Sequence, residues 1–360
     1  MNEHIKNLIE KLASDHALSL EEYAALIDGQ DKAAAALLAE RAVAVRKELY
    51  GNAVYVRGLI EVSNICKNDC NYCGIRRGNK DCERYRLTKE QILDCCAQGY
   101  EFGFRTFVMQ GGEDAVFDDD FVCDVVRTIK QRYPSCAITL SLGERSRESY
   151  LALYKAGADR YLLRHETADK EHYEKLHPKE MSFERRMQCL ADLKEIGFQT
   201  GCGFMVGSPF QTTQTLAKDL KFIENFKPAM CGVGPFIPHE KTPFRDEPAG
   251  TLEQTVYLLS IIKLICPTVL LPSTTALGTI HSTGREIGIL AGANVIMPNL
   301  SPISLRKKYE LYNNKLCSGA EAAEQKQQLS RLMQAIGYEI VTARGDVITY
   351  NTASDKKDNV

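Results

Sequence analysis

Apolar positions fall at helical spacing through the first fifty residues and in short β-branched runs after them. Asp31–Glu48 is rich in Ala, Leu, Glu and Arg, and its apolar residues return at the spacing of one helix face. Beyond residue 50 the pattern predicts strands at Tyr55–Val62, Arg105–Gln110, Ala137–Leu142, Arg160–His165, Thr200–Val206, Ala229–Ile237, Val269–Thr274 and Asn294–Met297. Amphipathic segments lie between them, among them Lys89–Phe102, Asp119–Arg132, Arg145–Ala156, Phe183–Ile196, Thr213–Phe226 and Leu252–Ile265. Gly157, Gly197 and Gly292 follow helical segments and precede strands, as glycines of αβ loops do.

Strand and crossover alternate at roughly thirty-residue spacing, the length of a βαβ unit. The pattern therefore predicts an α/β fold, closed as a complete (β/α)8 TIM barrel. A doubly wound sheet stays open as the second architecture, because pattern alone does not prove closure. The expected organisation is an N-terminal helical extension (1–50), the barrel (51–302) and a C-terminal cap and tail (303–360). The cap is expected over the barrel mouth. A terminal hairpin is expected over Tyr338–Tyr350, turning at Arg344-Gly-Asp346, and a frayed polar end over Ser354–Val360.

Composition narrows the function classes. The 360-residue chain is 44% hydrophobic and 26% charged, enough to bury a large core. Net charge is −2 with signs intermixed, so no basic stripe points to nucleic acid. The N-terminus is charged throughout and lacks the apolar run of a signal peptide. The greasiest stretch, Val256–Leu271, is interrupted by Lys263 and Pro267. A cytoplasmic enzyme without a membrane span is expected. Thirteen scattered cysteines are an odd number and no secreted disulfide framework. In a reducing compartment each is a small buried hydrophobe or a metal or redox ligand.

Cys66-Lys-Asn-Asp-Cys70-Asn-Tyr-Cys73 sits just after the first predicted strand, at the face where such barrels place chemistry. Three thiolates can hold three irons of a cubane and leave the fourth open. Structural zinc prefers four ligands, and Cys82 is near enough in sequence to be considered as the fourth. Three cysteines in one Asn- and Gly-rich loop do not suit a core. The other cysteines, including Cys95, Cys96, Cys123, Cys136, Cys189, Cys231 and Cys266, are read as structural, and Cys202 on the fifth strand is expected to lack companions.

The cysteine spacing, with Tyr72 before the last thiol, resembles the radical S-adenosylmethionine (SAM) superfamily. The resemblance implies a [4Fe–4S] cluster on Cys66, Cys70 and Cys73 whose open iron chelates SAM, and reductive cleavage of SAM to a 5′-deoxyadenosyl radical. Gln110-Gly111-Gly112-Glu113 ends the second strand and looks like the family's element for the SAM amino group; a plain glycine turn is the bland alternative. Arg164 and Glu166 end the fourth strand, with Arg185 on the next helix. An arginine fork suits a carboxylate and a carboxylate suits a ribose diol, although strand-end charges also make ordinary surface pairs. Gly203-Phe-Met205-Val-Gly207 resembles the adenine-binding element, a weak signal alone.

Five longer segments resemble the HydE-type maturases of [FeFe]-hydrogenase: Val56–Asn64, Tyr161–Thr167, Gly234–His239, Pro272–Thr279 and Ala293–Asn299. The likeness runs from about residue 40 to Cys317. It implies an iron precursor carrying cysteine, CO and cyanide, a reductant protein, and transient contact with partner maturases. Matching positions of a small-molecule cavity are Arg57, Thr139, Met230, Thr274, Thr275, Met297, Tyr309 and Tyr312. For the threonines ordinary strand occupancy, and for the methionines core packing, explain the residues as well. A buried Arg57 needs a partner, so an anion or carboxylate is expected beside it. Some relatives bind a second cluster near the C-terminus; Cys317 stands alone here, so none is expected. The rivals are a methylornithine synthase type of mutase acting on an amino acid, a biotin synthase with a further cluster in the barrel, and a non-enzymatic iron–sulfur or zinc scaffold.

Overall fold

The computed structural model describes residues 1–319 and 322–348. The last positions of the expected hairpin and the tail Ser354–Val360 lie outside the described residues. Helices α1 (Glu3–Asp15), α2 (Leu20–Asp28) and α3 (Lys32–Tyr50) form the N-terminal extension. The strands are β1 (Ala53–Val56), β2 (Gly58–Ser63), β3 (Thr106–Gly111), β4 (Ala137–Ser141), β5 (Arg160–Leu162), β6 (Gln199–Cys202), β7 (Met205–Val206), β8 (Met230–Cys231), β9 (Gly234–Pro235), β10 (Val295–Ile296) and β11 (Glu339–Val341). Between them run α4 (Lys89–Glu101), α5 (Asp119–Arg132), α6 (Arg147–Ala156), α7 (Lys170–Leu176), α8 (Phe183–Ile196), α9 (Thr213–Phe226), α10 (Leu252–Ile265), α11 (Thr275–Ile280) and α12 (Gly284–Leu290).

β2, β3, β4, β5, β6 and β8 pair in that order in one parallel sheet. All six residues of β2 are buried, as a parallel strand covered on both faces requires. Gly157 and Gly197 end α6 and α8 at φ +111° and +106°, a left-handed turn that returns the chain to the sheet. The N-terminal extension packs against the outer helices, α3 and α1 on α10 and α2 on α9.

The strand pattern differs from the expectation at the first, fifth, sixth and seventh strands, the fifth dividing into β6 and β7 and the sixth into β8 and β9. The first expected strand divides at Arg57 into β1 and β2. The amides of Tyr55, Arg57 and Leu59 nevertheless all donate along the segment 294–298, each at 2.9 Å. The seventh expected strand, Val269–Thr274, makes only single-residue bridges, Leu270 to Met230 and Pro272 to Val295. Pro272 has no N–H to extend a ladder. The sheet of regular ladders is therefore six-stranded, with β10, β1 and β11 in a second sheet.

Among the described residues the terminal hairpin does not form. Glu339–Val341 pairs parallel with β1 instead. The turn Arg344–Asp346 then enters the N-terminal end of the strands. Arg160, fully buried, donates to Arg344 O (3.0 Å), Gly345 O (3.0 Å) and Asp346 Oδ1 (2.5 Å). Thr106 Oγ1 and Gln199 Nε2 bind the same turn. The C-terminal region thus serves both ends of the sheet: residues near 309–315 cover the C-terminal face, and 344–346 plug the opposite one. Arg160→Met removes the cation at the centre of the plug. Breaking a buried pair costs about 3–5 kcal/mol, and Asp346, 38% exposed, lowers that. Urea unfolding is expected to show a loss of about 2–3 kcal/mol; a loss under about 0.5 kcal/mol would contradict the plug's structural role.

Candidate active site

The cysteine loop leaves the C-terminal end of β2 and is shaped by residues that sequence reading did not single out. Asn64 donates to Glu83 O (2.9 Å) and Lys308 O (2.7 Å) and accepts from Tyr85 N (2.7 Å). The Arg84 guanidinium donates to the carbonyls of Asn64, Ile75, Arg76 and Asn79. One side chain therefore gathers four carbonyls flanking the loop. Asp69 closes it across Arg76 Nε (2.6 Å) and Gly78 N (2.8 Å), and the Arg76 hydrogen bond holds its carboxyl down at about 2.

Cys66, Cys70 and Cys73 line one wall of a cavity of about 350 Å³. Burial, then the neighbouring thiols, pushes Cys70 well up, and burial with Cys66 pushes Cys73 up to about 12. Such thiols ionise only if a cation takes them as ligands. Among the described residues no three His, Cys, Asp or Glu side chains are gathered tightly enough to hold one metal ion between them. A cubane asks something different, one thiolate on each of three irons, and this all-thiol set suits it.

Tyr72 Oη lies 3.1 Å from His177 Nε2, while His177 Nδ1 lies 2.9 Å from Tyr173 O. Nδ1 must therefore carry the proton, and Nε2 accepts from Tyr72. Burial holds His177 down at about 3, so it stays neutral.

Gly111 and Gly112 carry backbone to the cavity edge. A Cβ on Gly112 would stand 2.2 Å from Ile65 O and 2.8 Å from Cys66 Cβ, so only glycine lets the two loops meet. Glu113 N donates to Cys66 Sγ (3.4 Å), and its carboxylate takes Glu144 N (3.1 Å) and Lys67 (3.0 Å).

Arg164 and Glu166 face the cavity from the end of β5, flanking a buried His165. Arg164 Nη2 is 3.2 Å from Glu166 Oε2, an ion pair without hydrogen-bond alignment. Arg164 Nε and Nη2 and Glu166 Oε2 are buried with no hydrogen-bond partner among the described residues. Unspent charged groups aimed into a cavity are what a zwitterionic, diol-bearing ligand such as SAM would satisfy. Glu166 is also held at φ +65°, a left-handed backbone uncommon outside glycine.

Met205, Thr274, Thr275, Met297, Tyr309 and Tyr312 line the same cavity. Gln110 Nε2 reaches Tyr309 Oη at 3.4 Å. Four expected site residues are not brought there. Arg185 is exposed and donates to Arg145 O (2.6 Å). Its neighbour Arg186 lines the cavity, bonded to Glu144 Oε1 and Arg164 O at 2.6 Å each. Helical phase carried that signal: Arg186, Cys189, Leu190 and Leu193 form the buried face of α8. Arg57, Thr139 and Met230 are buried but do not line the cavity. Among the described residues Arg57 makes no ion pair with a carboxylate, although the Asp346 charge bears on it; it points at Met230 Sδ (2.7 Å) and, more distantly, Gly345 O (3.4 Å). Cys202 does have companions, its register partner Cys231 and nearby Cys266, all packed within the core away from the cavity. Asn68, Met181 (Sδ 3.7 Å from Cys70 Sγ), Phe236 and Lys315 line the site without having been singled out.

Comparison with known proteins identifies the family. Residues 60–223 match the Radical SAM superfamily. The chain is 46% identical over 273 residues to the [FeFe] hydrogenase maturase subunit HydE of Thermotoga maritima, covering 76% of this chain and 78% of that one. It is 28% identical over 289 residues to 3-methylornithine synthase of Methanosarcina acetivorans, covering 80% and 81%. The crystal structure of methylornithine synthase (PylB) superposes with a TM-score of 0.81 at 25% identity, covering 93% of this chain and 97% of that one.

Proposed function

Since the chain belongs to the HydE-type [FeFe]-hydrogenase maturases of the radical SAM superfamily, we propose that its cavity takes an iron precursor carrying cysteine, CO and cyanide, handed over by a partner maturase. It is a radical SAM enzyme of hydrogenase maturation, with a [4Fe–4S] cluster and SAM as cofactors. Bound together and reduced by a donor protein, these supply the 5′-deoxyadenosyl radical that starts the reaction.

The chain's own residues divide the work. Cys66, Cys70 and Cys73 hold the cluster. With SAM bound, the backbone at Gln110–Gly112 and the Glu113 carboxylate would receive its amino group, Arg164 its carboxylate, Glu166 the ribose hydroxyls, and Tyr72 and Met205 the adenine; all of them line the cavity. Arg186 orients Arg164 through its carbonyl and is the arginine of α8 in contact with the site, the place sequence reading gave to Arg185. Thr274, Thr275, Met297, Tyr309 and Tyr312 line the substrate half. We read the three sheets and their bridges as one ring of eight parallel strands, a TIM barrel spanning 51–302, with 1–50 as its extension and the described residues after 302 divided between a cover near 309–315 and a plug at 344–346. Among the described residues no helix is long and apolar enough to cross a membrane, in keeping with a cytoplasmic enzyme.

The observation that carries the reading is the mixed lining. Arg164 and Glu166, with unspent polar atoms, share one cavity with the three cysteines and with hydroxyls, thioethers and aromatic rings. The test is maturation of an apo-[FeFe]-hydrogenase in a mixture lacking only its HydE component: hydrogen evolution is expected to return. Conversion of L-lysine to methylornithine by the same preparation would favour the mutase reading, which the PylB likeness keeps in view.

A further inference from the structure

Three cations line the cavity among the described residues, Arg164, Arg186 and Lys315. Gly234–Ile237, Thr274–Ala276 and Met297 contribute no ionisable group, and the covering segment contributes Tyr309, Leu311, Tyr312 and Lys315. The Lys315 ammonium is 2.5 Å from Glu61 Oε1, and its side chain is 8% exposed. Glu61 is fully buried on β2, and its second oxygen accepts from Asn299 Nδ2 at 2.9 Å. The carboxylate is thus pinned at both oxygens and the ammonium is fixed to a point. Nζ also lies 5.3 Å from the centre of the Tyr309 ring.

A lysine ammonium has three N–H donors, and among the described residues Lys315 uses one, on Glu61. Burying such a pair adds little stability over well-packed apolar residues of the same volume. What the pair does supply is a localised cation with spare donors on the cavity lining. The Thr274 hydroxyl, on the same lining, is buried with no partner among the described residues. Ile237, Met297 and Leu311 add apolar surface to that lining.

Resting on the function proposed above, we infer that Lys315 receives the carboxylate end of the substrate, with Glu61 as the residue that positions it. An amino-acid-like guest enters with its carboxylate toward Lys315 and its remaining body along the apolar wall, toward SAM. Lys315 lies on the segment that covers the mouth, tied down by Gly74 N to Leu311 O (2.8 Å) and Asn313 N to Pro238 O (3.1 Å). The subsite is therefore complete only when that segment is in place.

The test is calorimetric titration of the cluster- and SAM-loaded enzyme with L-cysteine and with L-cysteine methyl ester, which lacks the negative charge. Wild type is expected to prefer the acid by roughly tenfold or more, the scale of one charge-assisted hydrogen bond. Lys315→Met keeps the length of the side chain and is expected to lose the preference. Because it leaves Glu61 unpaired, the double variant Glu61→Gln/Lys315→Met is measured beside it; it removes both charges and is expected to lose the preference equally. A preference retained in either folded variant, or a wild type that binds both compounds alike or neither, would overturn the assignment. Maturation activity is read separately. Acid-selective binding that depends on Lys315, in an enzyme that matures no hydrogenase, would sink the proposed function and leave Lys315 standing.

Discussion

Cys70→Ala is expected to abolish SAM cleavage, by at least roughly a hundredfold, while the protein stays folded. A hundredfold is the upper end of what losing a supporting group costs a metal site, and a direct ligand matters more. Of the three thiols, Cys70 is the one against Met181 Sδ, at 3.7 Å. Its backbone carbonyl accepts from Cys73 N, a bond that alanine preserves. The loop itself is held by Arg84, Asn64 and Asp69, none of which touches the Cys70 side chain. Removing one sulfur therefore costs little folding energy, about 1–2 kcal/mol, and removes an iron ligand. Iron content, the electron paramagnetic resonance of the reduced sample and 5′-deoxyadenosine release should all fall together. Cleavage at the wild-type rate would sink the cluster assignment.

Arg164→Ala is expected to weaken SAM binding by roughly tenfold to a hundredfold, the cost of one charge-assisted hydrogen bond to a carboxylate. Its effect on stability is expected to be small. Two of its nitrogens have no hydrogen-bond partner among the described residues, and its 3.2 Å ion pair with Glu166 is 32% exposed at the Arg164 side chain, so folding draws about 1 kcal/mol from the guanidinium. The Arg164 carbonyl, which Arg186 uses, survives the substitution. Arg185→Ala is the control on the same helix turn as Arg186; exposed and bonded only to a backbone carbonyl, it is expected to leave SAM affinity within about twofold. Equilibrium binding of SAM to the reconstituted variants checks both. An unchanged affinity in Arg164→Ala would remove it from the SAM site.

The pairing that brings the cofactor half together was largely legible in sequence, because its parts are local. Three cysteines within one loop, glycines at a strand end and an Arg–His–Glu run each carry their meaning in adjacent residues, and all but the buried His165 reach the cavity. Arg186 was legible too, but only through the phase of α8, in which Arg185 turns outward. What stayed hidden depends on partners far along the chain. Lys315 matters because Glu61 lies beneath it, and the two are 254 positions apart. The end of the chain reads locally as a hairpin around Gly345, yet its backbone finds a parallel partner in β1 and its turn finds Arg160. That same turn explains Arg57. The side chain is buried as expected, but it sits at the plugged end with Met230, away from the cavity. Strand boundaries failed where proline intervened, at Pro272, since period-two patterning does not register a missing N–H.

The most direct measurement is hydrogen evolution by an apo-[FeFe]-hydrogenase after anaerobic maturation in which this protein, with its cluster reconstituted, is the only source of HydE activity. Hydrogen evolution well above the mixture without it, and absent when Cys70→Ala replaces it, is the expected result. A preparation that cleaves SAM yet restores no hydrogenase activity would contradict a role in maturation and leave only a radical SAM enzyme acting on a different substrate.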